Sequence, residues 1–193
     1  MPNRPRFFVG FGFNPQSELN QLYQEVNAEL FEHCGIPPLS QTHTPHLTVF
    51  PPPQSRTLDT IEKVASRLIS LAPALKPLSL SVDGWDWFDG KTSTLYLKVV
   101  PSKAFDTVVA RLTKKMVGLL APNDSYRPHI SFARWVTSEQ RTCAATYLAS
   151  RPSIPFAELA LDDLSIFTKQ EGGYRARTSV LLPRLRSGQV PSA

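Results

Sequence analysis

Pro45-His46-Leu47-Thr48-Val49-Phe50 and Pro128-His129-Ile130-Ser131-Phe132-Ala133 are one phrase written twice: proline, histidine, an aliphatic, a hydroxyl, then apolar residues. Each run is short, introduced by proline and apolar at alternate positions, which predicts a strand. Side chains alternate across a strand, so His46 shares a face with Thr48 and His129 with Ser131. Leu47, Val49, Ile130 and Phe132 take the opposite face. The aliphatic face belongs in the core, and each imidazole is left beside a hydroxyl on the other side.

Outward from these phrases the same element order appears twice. Phe7 to Phe13, between Pro5 and Pro15, reads as an opening strand, and Thr94 to Val100, alternating Leu95, Leu97 and Val99 with Tyr96 and Lys98, matches it in the second half. Helix-spaced stripes follow each: Leu19, Leu22, Tyr23, Val26 and Leu30, and then Phe105, Val108, Val109, Leu112, Met116 and Leu119. After the first phrase, Leu58, Ile61, Val64, Leu68 and Leu71 predict a helix, and Leu78 to Phe88 a half-buried strand. After the second, Thr137 with Gln140 has the capping-box form and starts a helix to about Leu148. Leu159 to Phe167 and Tyr174 to Leu182 read as a closing hairpin around Gly172-Gly173. The expected fold class is α+β: a bilobal, duplicated fold of two similar sheet-plus-helix lobes related by a pseudo-two-fold around a central groove. The two lobes are interleaved, with repeats covering about 6–88 and 93–182 of a single domain spanning 1–183, and 184–193 is a flexible tail that includes Arg184 and Arg186.

Composition fits this. At 193 residues with 41% hydrophobic content the chain can bury a core, and two independent domains are not expected. Charged residues, at 19%, fall below the usual quarter, and 18 prolines are about twice the ordinary share, so loops are stiff and neutral. No apolar run is long enough to span a bilayer, and the chain is read as soluble and cytoplasmic, without membrane association. Cys34 and Cys143 are too few and too scattered to predict a disulfide framework or a zinc site, so reduced thiols are expected. Twenty-one basic against 16 acidic residues, a net +5, favour an anionic partner. With no exposed apolar seam evident, the chain is expected to be a monomer.

If the two halves face each other, His46, Thr48, His129 and Ser131 converge on one cleft. Two imidazoles and two hydroxyls suit a phosphodiester: one ring activates the attacking oxygen, the other protonates the leaving oxygen, and the hydroxyls donate to the non-bridging oxygens. An ordinary His pKa of about 6.5 lets one ring be neutral and the other charged. No cofactor and no metal is called for. His33 and His43 read as a helix-end and a loop residue.

At these residues the chain resembles the 2H phosphoesterase superfamily, defined by two His-x-Thr/Ser motifs in duplicated lobes, and within it the 2′-5′ RNA ligase-like and cyclic phosphodiesterase branches. The stretch from Tyr126 to Arg134 and the opening Arg6-Phe7-Phe8-Val9 add to the likeness. The resemblance implies catalytic His46 and His129, phosphate contacts from Thr48 and Ser131, and a further phosphate contact from Arg134. Strand alternation alone would put Arg134 on the Ile130 side, so that contact requires a bulge or a strand end. Tyr126, Tyr174 and Trp85 are candidate nucleotide contacts, Trp85 by stacking on a base. The implied partner is a nucleotide or RNA end carrying a 2′,3′-cyclic phosphate or a 2′-5′ linkage, hydrolysed without metal. A cyclic phosphate would open to a 2′-phosphate. The alternatives are 2′-5′ ligation of RNA, the same acid and base exchanging roles, and a non-catalytic module that binds nucleotides or RNA ends.

Overall fold

The computed structural model describes residues 6–51, 57–75, 78–121, 127–161, 163–171 and 173–182. Tyr126 and the tail from 184 to 193 lie outside the described residues. The elements run β1 (Phe7–Gly12), α1 (Glu18–Cys34), β2 (His46–Phe50), α2 (Leu58–Leu71), β3 (Leu78–Phe88), β4 (Ser93–Val100), α3 (Lys103–Met116), β5 (His129–Val136), α4 (Ser138–Ser150), β6 (Glu158–Leu161), β7 (Asp163–Gln170) and β8 (Gly173–Leu181).

All four helices begin at a hydroxyl cap. Ser17, Thr57, Ser102 and Thr137 each accept a backbone N–H from the third residue on, and Thr137 with Gln140 completes the reciprocal box. The helix stripes find the core as expected, with Tyr23, Val26, Val64, Leu68, Phe105 and Leu112 essentially inaccessible. Leu58 is the exception, more than half exposed in the first turn of α2.

Two four-stranded antiparallel sheets form, in the orders β2-β1-β7-β8 and β5-β4-β3-β6. Superposing the orders equates β2 with β5 and β1 with β4, so the duplicated phrases occupy the same edge position in each sheet. That is the bilobal α+β arrangement with its pseudo-two-fold. The lobes do not follow the expected repeat boundary, however. β3, read as part of the first half, pairs with β4 and β6 in the second sheet. The expected strand from Leu159 to Phe167 is two strands, β6 in the second sheet and β7 back in the first. Antiparallel partners are chosen by register and face, which a list of consecutive elements does not contain.

The two edge strands β2 and β5 touch each other, joining the sheets along one line. Their apolar faces meet the helices: Phe132 of β5 packs edge-on against Tyr23 of α1 at 4.9 Å. On the outer side α1 and α4 form a seam across the join. Arg151 pairs with Glu25 at 2.8 Å and with Glu29, which also accepts from the Tyr147 hydroxyl, and the Gln140 amide donates to Gly35 O at 2.9 Å. Cys34 and Cys143, 109 residues apart, form a disulfide in the same seam. The expectation of separate, reduced thiols is therefore corrected: helix packing brings together two residues whose spacing carries no signal. The cysteines therefore give no support to a reducing compartment. No helix among the described residues is long and apolar enough to cross a membrane.

Candidate active site

The site lies on the faces of β2 and β5 turned away from the helices. Both histidines are the first residues of their strands, and each ring is held in the same way. His46 Nδ1 lies 2.7 Å from the carbonyl of Thr44, and His129 Nδ1 lies 2.7 Å from the carbonyl of Arg127. A carbonyl only accepts, so each Nδ1 carries the proton and donates, leaving Nε2 as the basic nitrogen of both neutral rings. The duplicated prolines, Pro45 and Pro128, stand between each histidine and the carbonyl that orients it.

Each imidazole is also backed by two aromatic rings from the neighbouring strands of its own sheet. Phe8 of β1 and Phe167 of β7, stacked on each other at 4.6 Å, lie 4.7 and 5.2 Å from the His46 ring. Tyr96 of β4 and Phe88 of β3, stacked at 4.1 Å, lie 5.4 and 4.7 Å from His129. The pairs come from equivalent strands, so the pseudo-symmetry extends from the motifs to the walls behind them. Gly10, opposite Thr48 on β1, is required by close approach: a Cβ there would stand 2.5 Å from Leu47 O.

Arg134 faces this groove. Its guanidinium donates to Ser131 Oγ at 3.3 Å, and its charge reaches His43, His46 and His129. The bulge that this placement requires is present. Against β4, the register passes from Tyr96–Ser131 to Leu95–Ala133 and then to Ser93–Val136, and Trp135 sits in the left-handed region at φ 57°. The extra residues in β5 reset the alternation and turn Arg134 to the side of Ser131.

A bulge also decides the fate of Trp85. Continued alternation after Leu78, Leu80 and Val82 would turn Trp85 and Trp87 to the groove. The register instead shifts between Val82 and Trp85, where Gly84 adopts φ 81°, and the parity flips. Trp85 packs edge-on against Phe132 at 4.8 Å on the helix side, and Trp87 lies under Arg141. Trp85 is thus corrected as a groove contact; Phe88, on the opposite face, is the aromatic that reaches His129. Tyr174 is placed in the groove wall, 5.1 Å from Phe8 and 5.8 Å from His43.

His43, read as a loop residue, is buried with its ring 6.3 Å from that of His46. It and Tyr96, whose hydroxyl donates to Asp86 at 2.7 Å, are the site residues that sequence reasoning missed. Tyr96 was legible in principle, since it alternates with Leu95 and Leu97 on β4. For His43 the only signal was its spacing from His46.

Burial lowers the pKa of both motif histidines. That of His46 is pushed down to about 3, chiefly by burial, with the charges of Arg134, His43 and His129 adding to it and the bond to Thr44 O opposing it. His129, less enclosed, is lowered by burial and by Arg134, against the bond to Arg127 O. Without substrate both motif imidazoles are therefore neutral, with the Arg134 guanidinium beside them. An anion bound there offsets the arginine's field and stabilises a proton on one ring.

Residues 15–173 match the family described as the 2′-5′ RNA ligase superfamily. The chain belongs to that superfamily. It is a branch of the 2H phosphoesterases, in keeping with the duplicated motifs. Solved structures share the fold of this 2H protein: TT0787 of Thermus thermophilus (16% identity, TM-score 0.65, covering 94% of this chain and 100% of that one) and E. coli LigT complexed with 3′-AMP (13%, 0.63, 94% and 100%). Usb1 of Kluyveromyces marxianus is similar at 12% identity and a TM-score of 0.53, covering 94% and 99%. No curated protein sequence matches the chain.

Proposed function

We propose that this protein is a metal-independent phosphodiesterase that hydrolyses 2′,3′-cyclic phosphates or 2′-5′ linkages of RNA ends or nucleotides, acting as a monomer. The observation that carries the reading is the pair of imidazoles in matched tautomers on facing strands. Each presents a basic Nε2 on the same side as a motif hydroxyl, and the charge of Arg134 reaches both. General acid–base opening of a diester needs one such nitrogen free and one protonated. Bound phosphate supplies the negative charge that lets one buried ring keep its proton.

With a 2′,3′-cyclic phosphate, one imidazole takes a proton from water as its oxygen bonds to phosphorus. The other gives its proton to the departing 3′ oxygen as the P–O3′ bond breaks, leaving a 2′-phosphate and a 3′-hydroxyl. Thr48, Ser131 and Arg134 would donate to the non-bridging oxygens as charge builds on them. The residues that carry each step are all side chains of this chain. LigT of E. coli has been crystallised with 3′-AMP, which supports a nucleotide as ligand of this fold.

The test is hydrolysis of nucleoside 2′,3′-cyclic monophosphates in excess EDTA by wild type, His46→Ala and His129→Ala, with 2′- and 3′-phosphates separated. Chelator-resistant 2′-phosphate formation that each substitution reduces at least a hundredfold is expected. Turnover that survives either substitution would refute the two-histidine chemistry, and binding without turnover in wild type would favour a nucleotide-binding module.

A further inference from the structure

The groove contains a third imidazole that belongs to neither motif. His43 is 8% exposed in the loop before β2, with its ring 28° from the plane of His46 and flanked on the other side by Tyr174. The last strand, β8, fixes that loop. Arg175 donates to the carbonyls of Thr42 at 2.7 Å and Gln41 at 3.2 Å, and His43 bridges to Tyr174. Gly173, at φ 142°, lies so close that a Cβ would stand 1.8 Å from Thr42 O. Nδ1 of His43 is 2.8 Å from the Thr42 hydroxyl, which occupies that nitrogen and leaves Nε2 as the one a ligand can use.

We propose that His43 Nε2 hydrogen-bonds a sugar hydroxyl of the substrate on the His46 side of the scissile phosphate, making His43 a specificity residue for nucleoside phosphates over bare phosphate. This rests on the phosphodiesterase reading above. Three features point to a hydroxyl rather than a phosphate oxygen. Burial, then the charges of Arg134 and Arg175, push the His43 pKa down to about 4, so the ring is neutral at ordinary pH. The Thr42 hydroxyl donates its one proton to Leu39 O at 3.2 Å, so it accepts from His43 Nδ1–H and leaves Nε2 an acceptor, which a sugar hydroxyl can donate to and an ionised phosphate oxygen cannot. The phosphate already has Thr48, Ser131 and Arg134. The displacement of His43 from His46, 6.3 Å between ring centres, sets it to one side of the motif histidine, within reach of a group attached to a phosphate held there.

The alternative is that His43 only pins its loop through Nδ1 and Thr42. Calorimetric titration of the full chain with adenosine 2′-monophosphate and with inorganic phosphate separates the two. Glutamine places its amide group near the position of Nε2, where its oxygen can accept, asparagine places one near that of Nδ1, and phenylalanine keeps the ring without either. The expected pattern is that His43→Asn and His43→Phe bind the nucleotide about tenfold more weakly, His43→Gln binds it within twofold of wild type, and all bind phosphate equally. A nucleotide affinity kept by Asn and lost by Gln would overturn the proposal, as would equal weakening of nucleotide and phosphate. So would a wild type that binds the nucleotide no better than phosphate. These are equilibrium measurements and stand whatever the turnover of His46→Ala and His129→Ala shows, so the subsite and the phosphodiesterase reading can fail separately.

Discussion

Replacing Arg134 with methionine tests the electrostatic design of the groove most directly. The side chain is half-buried, its described hydrogen bond goes to Ser131 Oγ at 3.3 Å, and most of its five N–H donors remain for a ligand. Methionine keeps the apolar stem and removes the charge. Two consequences follow from the geometry. Arg134 disfavours the protonated form of His43, His46 and His129 alike, so its removal raises all three pKa values, and every histidine titration in the groove moves toward higher pH. A hydrogen bond to a charged group contributes about 1.5–3 kcal/mol, so losing one such contact weakens phosphate or 2′-nucleotide binding by roughly 10- to 150-fold. The assay is NMR titration of the histidine Cε1 protons of wild type and variant, alongside calorimetric titration with inorganic phosphate. His33, at the far end of α1, serves as the internal control. Unmoved His46 and His129 titrations, or phosphate affinity within twofold of wild type, would refute the placement of Arg134 as the groove's resident cation.

The pH dependence follows from the same shifts. Both motif histidines titrate below 6.5, and catalysis needs one proton on the pair, so kcat/KM is expected to be bell-shaped with its maximum on the acid side of 6.5; a maximum above pH 7.5 would contradict it. Folding stability carries the corresponding sign. The unfolded His46 takes up a proton below about 6.5 while the folded ring does not, so the urea midpoint should fall as pH drops from 7 to 5, and a midpoint that rises would be inconsistent with a buried neutral ring. Cys34→Ser removes the cross-link between α1 and α4. By the chain-entropy relation a loop of this length is worth up to about 4–5 kcal/mol, so the variant should melt well below the oxidised wild type and match wild type held in reductant. Gly10→Ala forces a methyl against Leu47 O and displaces β2, costing about 1–3 kcal/mol and lowering turnover more than Gly35→Ala, whose cost is left-handed backbone strain at φ 63° at the end of α1 and not a clash beside the site; equal loss of turnover would show that β2 yields without harm to the site.

Much of the candidate site is legible in the sequence, because it is local. Alternation on a five-residue strand puts His46 beside Thr48 and His129 beside Ser131 whatever the strands pair with, and duplication of the phrase implied that the two pairs meet. Helix stripes and the Thr137 capping box were likewise local, and the four helices stand where the stripes put them, although α3 stops at Met116, short of Leu119. Departures occur wherever local alternation is interrupted or distant segments meet. The bulge at Gly84 reverses the parity of β3, sending Trp85 to the helix side and Phe88 to the groove. The bulges in β5 do the opposite service for Arg134, turning it in. His43 enters the site only because β8, which lies more than a hundred residues away in sequence, holds its loop through Arg175, and the pairing of Cys34 with Cys143 depends on how α1 crosses α4. By itself, then, the sequence determined which side chains share a strand face and where helices begin, since those are set by periods of 2 and 3.6 residues. Only tertiary structure decided which sheet each strand joins, which aromatics back the imidazoles and how far their protons are destabilised, because register, bulges and burial are properties of contacts between residues that the chain keeps far apart.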